Sequence, residues 1–267
     1  MNVAKLIALT GCLAAIHGTG LAAESDYPKF TVSGAAEYAT GTYGGDIDID
    51  DIYFPFSGTM DSQRFSLRLT VPYLSVSAPE GTVILGPGGQ PIPGTGDRTT
   101  NSGLGDIIAS ATIYDVVYNR KRDFAIDLTG RVKFGTADVD KGLGTGETDY
   151  SVRADFLKFW EKFTLLGALG YKFRGNTADT SFNNVVTASA GATYKFTVRL
   201  RGGVFFDYRD SAISGNDSIQ ELSVFLSNKV SERWRLQVYM MTGFTDSSLD
   251  WGGGIRIKRV LPNRRDY

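Results

Sequence analysis

Basic residues recur two apart along this chain: Arg131 with Lys133, Arg199 with Arg201, and Arg233 with Arg235. Residues two apart project from the same side of a β-strand, so each pair stacks positive charge at neighbouring depths on one face. Arg64, Arg68, Arg153, Lys172, Arg174, Arg256 and Lys258 fall on faces of the same kind, opposed by Glu37, Asp123, Asp127, Asp155, Asp207 and Glu221. Such a face either lines a polar channel that favours anions, or fills the space it encloses with a lattice of salt bridges. The residues expected to line a pore are Arg64, Arg68, Asp127, Arg131, Lys133, Arg153, Asp155, Lys172, Arg199, Arg201, Asp207, Glu221, Arg235 and Arg256.

Other chemistry is sparse. His17 is the only histidine and Cys12 the only cysteine, and both lie in a segment with the grammar of a secretory leader. Lys5 supplies its basic start, 6–16 its short apolar core, and Leu21, Ala22 and Ala23 its small-residue exit. Cleavage after residue 23 is expected to leave a mature domain, 24–267, without histidine, cysteine or disulfide. The string ending at Cys12 imitates a lipoprotein box, but it would cut midway through the apolar core. Hydrolases and acyltransferases that activate serine or water through histidine then lose their base, and no catalytic role or cofactor is expected. Gly142, Gly144 and Gly146 have phosphate-loop spacing, yet a strand pattern follows where a nucleotide site needs a helix. A flexible loop is the plainer reading. Asp46, Asp48 and Asp50 open like a calcium loop but lack its turn glycine and its final glutamate. They are expected to form an external acidic rim, which could share divalent cations with lipopolysaccharide.

The elements that would position these residues are strands. From Phe163 the odd positions read Phe163, Leu165, Gly167, Leu169, Tyr171 and Phe173, while the even ones are mostly small or charged. This period of two recurs from Phe124 and from Val198, and no apolar run after Glu24 is long enough for a helical span. About twelve segments follow, near 29–40, 47–56, 63–77, 105–117, 122–134, 148–158, 162–174, 184–194, 197–209, 219–229, 233–245 and 249–260. Most exceed the roughly 9 to 11 residues that a tilted strand needs to cross a bilayer. Terse connections at 57–62, 118–121, 159–161, 195–196 and 230–232 alternate with longer ones at 78–104, 135–147, 175–183 and 210–218. That is the habit of outer-membrane barrels, with short periplasmic turns and long external loops.

A lipid-facing strand must pair every backbone group within the protein, and only a closed sheet does so. The expected fold is therefore all-β: a transmembrane antiparallel up-and-down β-barrel of about twelve strands in a Gram-negative outer membrane. Tyr38, Tyr73, Phe134, Tyr171, Tyr194, Tyr208, Trp234, Phe244 and Trp251 would form its interfacial girdles. The second segment breaks parity between Ile49 and Ile52, and a bulge near Asp50 and Asp51 would restore it. A net charge of -1 names no partner, nucleic acid included.

Three strings then carry a resemblance: 68–74 (Arg-Leu-Thr-Val-Pro-Tyr-Leu), 102–107 (Ser-Gly-Leu-Gly-Asp-Ile) and 142–150 (Gly-Leu-Gly-Thr-Gly-Glu-Thr-Asp-Tyr). They resemble the outer-membrane channels of the MetA-pathway of phenol degradation family. The resemblance implies uptake of small solutes, aromatic or hydrophobic compounds among them. The strand at 250–257 is similar to the final-strand signal read by the barrel assembly machinery, with Ile257 where an aromatic is usual. The expected function is a passive, porin-like channel whose partners are outer-membrane lipid, lipopolysaccharide, the assembly machinery and a small-molecule solute. The alternative is a structural or surface-interaction barrel that transports nothing.

Overall fold

A computed structural model describes residues 5–6, 16–17, 28–86 and 91–262. Lys5–Leu6 and Ile16–His17 pair in a separate ladder; the rest of the expected leader lies outside the described residues. Twelve strands make the barrel: β1 (Lys29–Gly41), β2 (Ile49–Asp61), β3 (Phe65–Pro79), β4 in two segments (β4a, Arg98–Leu104, and β4b, Ile108–Asn119), β5 (Phe124–Lys133), β6 (Asp149–Phe159), β7 (Phe163–Phe173), β8 (Val185–Lys195), β9 (Leu200–Arg209), β10 (Ile219–Lys229), β11 (Trp234–Gly243) and β12 (Trp251–Val260). Each pairs antiparallel with its neighbours in sequence. β12 closes the sheet on β1 from Trp251 opposite Thr40 to Val260 opposite Thr31. Where β4b continues the wall every strand is paired on both sides, which is the condition for spanning; β4a, beyond it, pairs on one side only.

Alternation is kept along the wall. Val32, Leu69, Leu128, Leu165, Leu169, Val204, Leu236 and Ile255 are exposed on the outside, whereas Thr31, Thr70, Thr129, Ala168, Phe205, Gln237 and their parity mates are buried inside. Backbone bonds from Ser62 to Phe65, Trp160 to Phe163, Thr197 to Leu200 and Ser231 to Trp234 close tight turns at one end, the periplasmic end by the rule of short turns. Rings gather at both interfaces. Phe163 and Tyr194 lie 4.7 Å apart near the turns, and Tyr38 and Trp251 5.2 Å apart near the loops. Lys158 and Arg259 sit over Trp160 and Trp234, where cations meet headgroups.

Two local expectations need correction. β2 keeps one register with β1, Gly34 opposite Phe56 and Glu37 opposite Tyr53, so it has no bulge at Asp50 and Asp51. Ile49 points inward with Tyr53 and is fully buried, while Ile47 is exposed in the loop ahead of the strand. The parity break thus marks an apolar patch inside the barrel. A register shift occurs instead in β4b, between Ile113 and Val117, where Asp115 has a φ of 53°.

Candidate functional site

The site is the lumen and its cover. At the loop end, residues 80–86 and 91–97 turn back over the mouth: Val83 pairs with Ile92, Ile84 N donates to Gly142 O at 2.9 Å, and Gly94 N donates to Thr82 Oγ1 at 2.9 Å. Ile84 joins Tyr43, Ile49, Tyr53, Leu74, Val76, Leu143 and Leu249 in one apolar cluster; Leu85 joins Phe182, Val185 and Ala212 in another. Burial pushes the Tyr43 hydroxyl well above its ordinary range, so it stays neutral and the cluster stays uncharged. The glycines at 142–146 belong to this packing, with Leu143 and Thr145 buried, and not to a flexible loop. Gly142 (φ 68°) approaches the Thr82 carbonyl where no Cβ would fit.

Below the cover, acids and bases alternate in rows. Asp127 stands opposite Asp155, and Asp207 opposite Glu221, which places like charges directly across strands. Bases two residues along the strands offset this: Arg153 Nε donates to Asp155 at 2.8 Å, and Arg209 donates to both oxygens of Glu221 at 3.0 Å. Ser189 donates to Asp207 at 2.6 Å, and Asp127 accepts the Asp115 amide at 2.7 Å. Lys133 Nζ lies 2.9 Å from Asp106 and 3.6 Å from Asp149, which is also 3.7 Å from Arg174. Arg131, Lys133 and Lys172 converge on a small cavity with Asp149, Ser151, Ile108 and Gly86. Nearer the turns, Leu157, Phe159, Leu166, Phe205, Phe225 and Tyr239 form an apolar cluster on the inner wall.

The three strings that carried the resemblance meet at the break in β4. Gly105 N donates to Pro72 O at 3.0 Å; Asp106, fully buried, accepts the amides of Thr136 and Ala137 and the Lys133 ammonium; Leu143 packs on Gly103. The family model for the MetA-pathway of phenol degradation matches residues 24–257. This chain belongs to that family. The three strings therefore have a structural role here: they tie the wall to its cover.

Solved structures agree on the fold. The chain is similar to the COG4313 outer membrane channel from Pseudomonas putida F1, with a TM-score of 0.69 and 13% identity over 88% of this chain and 96% of that one. It is also similar to the transport unit of the autotransporter AIDA-I from Escherichia coli (TM-score 0.50, 10% identity, 91% and 93% covered). No curated protein sequence matches significantly. A closed barrel of this kind belongs in the Gram-negative outer membrane, in contact with its lipid.

The residues singled out from the family member's sequence divide by position. Arg68, Asp127, Arg131, Lys133, Arg153, Asp155, Lys172, Arg201, Asp207, Glu221, Arg235 and Arg256 stand on inward parity within strands. Arg64 and Arg199 do not; like Arg233 and Asp123 they lie in the periplasmic turns, because parity was extended past the strand ends. Asp106, Asp149 and Arg209 were missed as members of the charge lattice. Asp50 pairs with Arg98 and accepts from Tyr38 Oη at 2.7 Å, so the three rim aspartates do not act as one group.

Proposed function

We propose that the protein is a passive outer-membrane channel for small hydrophobic or aromatic compounds, driven only by their concentration gradient. The observation that carries this reading is apolar packing inside the barrel at both ends of the lumen, where a water-filled porin is polar. The lower cluster offers a solute aromatic surface near the periplasm, and the upper one is the surface it would meet as the cover moves. The family and the channel of Pseudomonas putida are consistent with this assignment. Non-enzymatic action, assembly by the barrel machinery and contact with lipopolysaccharide belong to the same proposal. The test is uptake of radiolabelled toluene from dilute solution by cells with and without the protein. Faster accumulation with the protein is expected; equal rates contradict the reading.

A second reading, a barrel that only holds structure, is favoured by the ion pairs that link neighbouring positions of the inner wall. It predicts no difference in toluene uptake and no conductance steps in planar bilayers.

A further inference from the structure

Arg201 and Arg235 stand apart from the ion lattice. They face the lumen near the periplasmic turns on either side of Ser227. Arg201 is opposite Ser227 across β9 and β10, and Arg235 is opposite Lys258 across β11 and β12. Among the described residues neither arginine forms an ion pair: Arg235 donates to Ser227 Oγ at 3.4 Å, and a buried terminal nitrogen of Arg201 has no hydrogen-bond partner. Lys258 lies in the combined field of Asp61, Arg68, Arg235 and Arg256, and Arg256 is itself held by Glu37 at 2.8 Å. Like charges facing each other across strands destabilise a sheet, and an unmet buried donor adds to that cost. An anion between Arg201 and Arg235 would relieve both.

What adjoins these cations narrows the anion. Phe225 precedes Ser227 by two on the inward face of β10, and its ring lies over Gly203, the inward neighbour of Arg201, where a Cβ would come within 2.6 Å of it. Phe205 and Phe225 stack at 20° with centroids 6.0 Å apart. Tyr239 lies likewise against Gly254. Glycines let these rings lie back against the wall, where they pack as a buried apolar layer beside a pair of guanidinium forks. Guanidinium matches carboxylate in geometry and charge, and the rings of this layer match an aromatic ring.

We propose that the periplasmic half of the lumen binds small aromatic carboxylates, Arg201 and Arg235 holding the carboxylate and Phe205, Phe225 and Tyr239 the ring. This rests on the transport reading and adds a substrate class to it. Titration calorimetry on the purified full-length barrel, with benzoate and neutral benzyl alcohol as probes, tests it. Benzoate should bind roughly tenfold more tightly than benzyl alcohol; the R201Q/R235Q variant should lose roughly tenfold in benzoate affinity and keep its affinity for the alcohol. R201K, which keeps the charge and loses the fork, should fall between and serves if the double variant does not fold. Equal affinities for the two probes, unchanged benzoate binding in both variants, or inorganic phosphate competing as well as benzoate would overturn the proposal. Toluene uptake measured on the same variants separates the two claims. Uptake that persists without carboxylate preference removes only the anion site.

Discussion

Asp106 joins the wall to its cover. It has no exposed side-chain surface, and its carboxylate satisfies two backbone amides of 136–137 and the Lys133 ammonium at once. Replacing it by alanine leaves a buried cation with only the longer contacts to Asp149 at 3.6 Å and to the Thr145 hydroxyl at 3.5 Å. Asp106→Ala should therefore cost about 3–5 kcal/mol, read as a lowered denaturant midpoint, and should speed protease cleavage at the exposed Lys141 nearby. Asp106→Asn, which still accepts from the amides, should lose less. Identical midpoints for wild type and Asp106→Ala would mean that this tie does not hold the mouth together. From sequence, Asp106 was visible only as part of a family string, because its partners are 27 and 30 or 31 residues away.

At the level of the strand, the two-residue period located every member of the barrel, since lipid on one side and packed polar groups on the other impose it throughout. Boundaries shifted where that pressure is absent. The segment 98–104 is rich in Thr, Asn, Ser and Gly and pairs only with β3, so no apolar alternation announced β4a. The inner apolar clusters were hidden for the opposite reason: Leu166, Phe205, Phe225 and Tyr239 are apolar on the lumen parity, among outward neighbours that are apolar too. Parity also could not say where charge pairs with charge. Thr129, on the lumen parity, is buried and bonded to Thr112 at 2.9 Å, which leaves no room for a larger side chain. The two faces remain testable. Leu169→Arg, on the lipid side, should destabilise by about 2–4 kcal/mol if it lies near the bilayer midplane. Ser33→Asp, which faces Lys258 in register, should leave the unfolding midpoint unchanged or raised. Equal losses at both positions would invert the assignment of inside and outside.

For the whole molecule, the barrel, its cover and the apolar surfaces at either end of the lumen form one proposed route, and residues 80–86 and 91–97 close it from outside in this structure. If solutes pass through the lumen, that cover has to move, and fixing it has to stop them. Leu85, in the cover, and Phe182, in the loop between β7 and β8, pack in the same buried cluster. Cysteines at these two positions offer a reversible lock. The decisive measurement is toluene uptake by cells carrying the Leu85→Cys/Phe182→Cys variant, before and after reduction of the disulfide, with disulfide formation verified by gel mobility. The account predicts uptake at the level of cells lacking the protein while the lock is closed, and wild-type uptake once it is reduced. Wild-type uptake through the fully oxidised variant would contradict it.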